Sequence, residues 1–232
     1  MTNTITFDVA GAGPVTIAIE NAIIAGWTGR NAEAVAHHIA ELEEIGVPPP
    51  STVPLYYRVA ASLLTTGPAI ETVDDTSSGE CEPVLVDDGE RLYLGLGSDH
   101  TDRKLEAHSV ALSKQICAKP LAATLWAFDE VAGHLDEIRL RSFIRDDESA
   151  EWVPYQDGTL ASIRPLADLV AGAPLARGPA RLAQGTAMMC GTFTVLSGGV
   201  RPARYFRMEM EDAKLGRAIA HSYEMKTLPV VS

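Results

Sequence analysis

The stretch Gly79-Glu-Cys-Glu-Pro-Val-Leu-Val-Asp-Asp-Gly-Glu-Arg-Leu-Tyr-Leu-Gly-Leu-Gly-Ser-Asp99 reads as a β-hairpin. The apolar run Pro83–Val86 leads into the polar turn Asp87-Asp88-Gly89, and a second run, Leu92–Leu96, returns. Residues i and i+2 of a strand project to the same face. Glu80 and Glu82 therefore point together, and the returning strand can bring Asp99 beside them. Three carboxylates on one rigid sheet edge suit a hard divalent cation, Mg²⁺ or Mn²⁺, with Ca²⁺ as an alternative. Taken alone, the same residues also fit a solvated acidic strand edge in an acidic protein.

Working outward, residues 5–9 and 15–19 alternate apolar and polar around Ala10-Gly-Ala-Gly13, which predicts a second hairpin. Asn31 is placed to cap a helix over Ala32–Ile45, which Gly46 and the prolines 48–50 stop. Val35, Ile39, Leu42 and Ile45 recur on it at helical spacing. Further strands are predicted at Tyr56–Val59, Ile138–Ile144, Thr186–Thr194 and Tyr205–Met210, with a short helix at Leu166–Val170. Strands dominate and helices are few. The expected class is a β-rich α+β fold, with an N-terminal hairpin and helix over residues 1–50 and a core over 51–232 forming one compact unit.

The 232 residues are 46% hydrophobic, enough for one large domain with a real core. Their net charge of −12 would repel a polyphosphate, which argues against nucleic acid as a partner. Cys81, Cys117 and Cys190 are odd in number and widely spaced, so they form neither a zinc pattern nor a disulfide framework. The N-terminus lacks a basic start and an apolar signal core, and no run approaches the ~20 apolar residues of a membrane span. These features predict a cytoplasmic protein without a membrane segment.

With Glu80-x-Glu82 on one strand and Asp99-His-Thr-Asp-Arg103 after the next, the order of motifs resembles the fumarylacetoacetate hydrolase superfamily. Ser113-Lys114, followed by Pro120, stands where that family has a Gly-Lys loop. Met189-Cys-Gly-Thr-Phe193 is similar to its Thr-Gly-Thr-Pro loop, and Gly198-Gly-Val-Arg-Pro202 with Phe206–Glu211 is similar to its ending. Upstream, His38-Ile-Ala-Glu41 has the spacing of the His-x-x-Glu pair found on a short helix in small members. The correspondence runs from about residue 25 to the end.

The resemblance implies a mixed β-roll core and a homodimer. It also implies a metal held by Glu80, Glu82 and Asp99 that chelates a small 2-oxo or 2,4-dioxo acid. Under it, Glu41 orients His38, which activates water for hydrolytic C–C cleavage, and Lys114 stabilises the enolate. Arg103 either forks a substrate carboxylate or braces Asp99. Gly191 and Thr192 would offer an amide and a hydroxyl to a carboxylate, and Tyr57, Arg58, His100 and Glu106 would line the substrate pocket. Departures from the family pattern surround this set: Glu106 replaces a glutamine, Phe193 a proline, and Cys117 an acidic residue. A decarboxylase, hydratase or isomerase on the same site, or a family member that binds a small acid or metal without turnover, remain as alternatives.

Overall fold

The computed structural model describes residues 2–44, 48–178 and 180–231, the side chains of His38 and Leu42 excepted. Strands build the chain into two main sheets. The larger has eight strands in the spatial order Gly13–Ile19, Asn3–Val9, Thr124–Ala127, Leu92–Ser98, Cys81–Asp87, Thr186–Met189, Asn21–Gly26 and Leu55–Val59. The second has five, in the order Val153–Thr159, Arg139–Arg145, Tyr205–Asp212, Arg217–Leu228 and Ala69–Val73. The expected β-rich α+β class is what the chain adopts, with the large sheet curled into a half-barrel.

The hairpin that carries the carboxylates lies at the centre of the large sheet, which corrects its expected position at an edge. Its composition gives the reason. Every residue of Cys81–Asp87 and Leu92–Ser98 is buried. A strand covered on both faces reads as a continuous apolar run, whereas a strand with one face in water alternates. Successive side chains feed two different cores. Val84, Val86 and Tyr93 pack with Phe7, Ile17, Ile24 and Met189 on one face. Leu85, Leu94 and Leu96 pack with Ile23 and Met188 on the other, against Leu140, Ile144, Phe206, Met208 and Tyr223 of the second sheet. Each such side chain contributes about 1.5–3 kcal/mol by leaving water.

The N-terminal hairpin forms in the expected register, from Asn3 opposite Ile19 to Val9 opposite Gly13. Its strands and Asn21–Gly26 belong to the same sheet as the central hairpin. The helix spans Ala32–Glu44, and Asn31 Oδ1 caps it by accepting from the Glu33 and Ala34 N–H groups at 3.0 and 3.1 Å. Ile45 lies outside the described residues.

The strand expected over Thr186–Thr194 stops at Met189, because Gly191 turns the chain at φ +99°. The twelve-residue strand Arg217–Leu228 is a further difference from the expectation. It is hard to read because polar His221 falls at an inward position between Ile219 and Tyr223 and interrupts the apolar alternation.

Short elements then gather on the end of the central hairpin. Thr101–Asp102 pairs with Ser77–Ser78, and Lys119–Pro120 runs parallel to Leu64–Thr65. Asp102 caps the helix Arg103–Glu106 through Leu105 N–H at 2.8 Å, and Ser109 caps Val110–Ile116. Among the described residues no helix is long and apolar enough to cross a membrane.

Candidate active site

The ladder between Cys81–Asp87 and Leu92–Ser98 sets Cys81 opposite Ser98 and Glu82 opposite Gly97. It runs one step further, where Asp99 N–H donates to the Glu80 carbonyl at 3.1 Å. This register brings Glu80, Glu82 and Asp99 together, with one oxygen of each within 4.8 Å of the others. Gly97 keeps the approach open, since a Cβ there would stand 2.7 Å from Val84 Cγ2 and 2.8 Å from Leu121 Cδ2.

Each carboxylate has a different environment. Glu82 is buried, and its Oε2 accepts the Gly191 N–H at 2.8 Å. Burial, with Asp99 and Glu80 nearby, pushes its carboxyl well above the usual carboxylate range. Asp99 is also buried, but it sits between two ammonium groups. Lys114 Nζ hydrogen-bonds its Oδ2, and Lys119 Nζ lies 3.0 Å from its Oδ1. Burial would raise the Asp99 pKa; the two lysines outweigh it and hold the carboxyl at about 2. Glu80 is the most open of the three, with 18% of its side chain exposed, and it pairs with Arg103 Nη2 at 3.0 Å.

The donor set fits a hard divalent cation. All three ligand groups offer oxygen only, which matches Mg²⁺, Mn²⁺ or Ca²⁺ over softer metals. Asp99 Oδ1 is buried without an aligned hydrogen bond, so it keeps a lone pair free. With Glu106 counted, four carboxylates face three cations, Lys114, Lys119 and Arg103, and Glu82 is the carboxylate that no cation among the described residues pairs directly.

Arg103 holds the open side. Its Nε donates to Ser78 Oγ at 2.7 Å and its Nη1 to Glu106 Oε2 at 2.8 Å, while Nη2 faces Glu80. Its carboxylate partners are thus Glu80 and Glu106, and not Asp99. Burial opposes its charge, but Glu80 and Glu106 outweigh burial and raise its pKa. Lys114, in the last turn of Val110–Ile116, lies with its Nζ 5.8 Å from the centre of the Tyr57 ring. Asp99 raises the Lys114 pKa against the opposing effect of burial, which keeps the group charged. Arg58, one residue on, turns to Asn21 Oδ1 at 2.7 Å on the exposed surface.

His100 is fully buried. Its Nδ1 meets the Tyr223 hydroxyl at 3.0 Å and its Nε2 meets Ser77 Oγ at 2.9 Å. Burial, with Lys119 and Arg103 close by, lowers its pKa to about 3, so the ring is neutral. Thr192 Oγ1 donates to the Cys81 carbonyl at 2.9 Å, which ties the Gly191 loop to the carboxylate strand. Glu41 lies 3.4 Å from His37 Nδ1 on the exposed helix face. The His38 side chain is outside what the structure describes.

Two residues of this constellation are absent from the sequence reading. Lys119 is fully buried, with its Nζ on Asp99 and on the His100 carbonyl. Burial, its largest influence, lowers its pKa. Gln156 is a buried carboxamide that uses both ends. Its Oε1 accepts from Cys81 N–H at 3.0 Å and Ser142 Oγ at 2.8 Å. Its Nε2 donates to Thr192 Oγ1 at 2.8 Å and to the Phe193 carbonyl at 2.7 Å.

The family described as "Protein of unknown function (DUF2848)" matches residues 25–223. The chain belongs to that family. No curated protein sequence matches this DUF2848 protein. Solved structures do. A 2-keto-3-deoxy-D-arabinonate dehydratase complexed with magnesium and 2,5-dioxopentanoate is similar at a TM-score of 0.64 and 14% identity, over 94% of this chain and 78% of that one. A hexagonal form of 2-keto-3-deoxyarabinonate dehydratase gives 0.65 and 14%, over 91% and 74%. A protein assigned as a fumarylpyruvate hydrolase, from Burkholderia cenocepacia, gives 0.56 and 16%, over 100% and 97%. These neighbours are of the fumarylacetoacetate hydrolase superfamily, and the DUF2848 protein shares their fold.

Proposed function

We propose that this protein is a divalent-metal-dependent enzyme of small 2-oxo acids. The observation that carries the reading is the convergence of Glu80, Glu82 and Asp99 within 4.8 Å. Those three residues would hold Mg²⁺ or Mn²⁺. When bound, the cation supplies a chelate for a 2-oxo carboxylate and Lewis-acid polarisation of its ketone.

The chain's own residues do the rest. Arg103 keeps Glu80 in place through a guanidinium shared with Glu106, so the ligand on the open side does not swing away. Lys114, held charged beside Asp99, is preorganised to offset negative charge that develops on a substrate oxygen. Solvent reaches the site past Glu80, Arg103 and Glu106, whose side chains are 18%, 18% and 31% exposed. A substrate entering there meets the guanidinium first.

Two reactions suit this arrangement. In the first, water splits a C–C bond of a 2,4-dioxo acid and the enolate leaves toward Lys114; the base for that water is assigned from the sequence alone, to His38 with Glu41. In the second, a 3-deoxy-2-oxo sugar acid loses water, with a proton removed beside the ketone. Glu106 favours the second reading, because it places a carboxylate at the open side where the resembled family has a neutral glutamine.

A turnover screen of 2-oxo, 2,4-dioxo and 3-deoxy-2-oxo acids with Mg²⁺ and Mn²⁺, read by mass spectrometry, tests the proposal. Hydrolysis gives two products that together gain one water, and dehydration gives one product that has lost one. Metal-dependent binding of oxalate with no acid consumed would favour a binding protein.

A further inference from the structure

A cleft of about 590 Å³ crosses the second sheet, lined by Thr66, Pro68, Arg145, Trp152, Arg207, Ala220, His221 and Ser222. None of these residues belongs to the candidate active site. Arg145 and Arg207 alternate along their strands with buried Ile144, Phe206 and Met208, so they stand on the sheet's outward face. The lining includes two arginines and a histidine and no carboxylate. That is unusual in a chain with 31 acidic and 19 basic residues.

Arg145 is held ready for a ligand. Its guanidinium carbon lies 4.4 Å from the centre of the Trp152 ring and 4.9 Å from that of Tyr205. Such contacts fix the planar group and strip it of water without neutralising it. Its Nη1 donates to the Glu148 carbonyl at 2.6 Å. Its Nε is buried with no hydrogen-bond partner among the described residues. Arg145 also forms no ion pair within 4.0 Å among them, whereas Arg207 is paired with Glu209.

We propose that this cleft binds a small oxyanion of the phosphate class on the terminal nitrogens of Arg145. The edge of a guanidinium takes two oxygens of one anion side by side. Thr66 and Ser222 add hydroxyls to the lining. Inorganic phosphate and the phosphate of a larger metabolite share this chemistry.

Calorimetric titration of orthophosphate into the metal-free full chain is the test, with glycerol phosphate as a second titrant. Wild type should show saturable one-to-one binding. Arg145→Met should weaken it by about tenfold or more, the loss expected for a charge-assisted pair. Arg145→Lys keeps the charge and loses the planar edge, so it should also bind several-fold more weakly. Tighter binding of glycerol phosphate points to a metabolite, and equal binding to the free ion. Thermal melting in phosphate-free buffer identifies variants that remain folded, and Arg145→Lys decides the matter if Arg145→Met does not fold. Absence of saturable binding to wild type, or full affinity in a folded Arg145 variant, overturns the proposal.

Discussion

The backbone N–H of Gly191 donates to Glu82 Oε2 at 2.8 Å, which joins residues 109 positions apart in sequence. The bond depends on backbone shape. Gly191 sits at φ +99°, a conformation that L side chains rarely adopt. A Cβ there would stand 1.7 Å from Thr28 Oγ1 and 2.8 Å from its Cβ. The turn thus presses directly on Thr28 at the end of a neighbouring strand while its amide reaches the buried carboxylate.

Gly191→Ala should therefore cost about 2 kcal/mol or more of stability, from backbone strain and the clash together. Urea denaturation of the metal-free protein measures it. Divalent-cation affinity should fall as well, since the turn that orients Glu82 would shift. A variant as stable as wild type would mean that Thr28 moves aside at little cost.

Glu82 should make the metal-free protein sensitive to pH. Its folded-state pKa is raised, first by burial and then by Asp99 and Glu80. A raised carboxyl contributes stability that is fully present below its unfolded value of about 4.3, and that is lost as pH rises through the folded value. Asp99 acts in the opposite sense, but only in the acid range between its unfolded value of about 3.9 and its folded value of about 2. At neutral pH a carboxyl at position 82 is therefore a burden when no cation is bound. Glu82→Gln keeps the acceptor for Gly191 and removes the charge, so its metal-free Tm should exceed that of wild type at pH 7. A lower Tm would show that Glu82 is compensated by other groups.

The carboxylate arrangement was legible because its causes are local. Alternation along one strand and a tight polar turn place Glu80, Glu82 and Asp99, and both can be read from adjacent residues. Its position in the sheet was not legible, since pairing with Thr124–Ala127 and Thr186–Met189 is decided by distant segments. Lys119 and Gln156 were hidden for the same reason. Lys119 reaches Asp99 from a bridge parallel to Leu64–Thr65, and Gln156 acts on Cys81, 75 residues away. The Arg103–Glu106 pair, at i and i+3 on one helical turn, could have been read from spacing. Its further reach to Glu80 depends on the fold.

Removing Lys119 should be among the more damaging single changes. Lys119→Met leaves the buried Asp99 with one ammonium group and the His100 carbonyl without its donor. Breaking a buried pair from one side costs about 3–5 kcal/mol. Chemical denaturation should show that loss in the metal-free protein. A loss below 1 kcal/mol would mean that Lys114 alone compensates Asp99.

The central claim is that Glu80, Glu82 and Asp99 form one divalent-cation site, and calorimetric titration of Mn²⁺ into wild type and Glu82→Ala tests it most directly. Wild type should bind one ion per chain. The variant, left with two ligands and a gap at the buried position, should bind at least about a hundredfold more weakly, the upper end of what loss of a mere outer-shell partner costs. Equal affinity in the two proteins, with Glu82→Ala folded, would contradict the account.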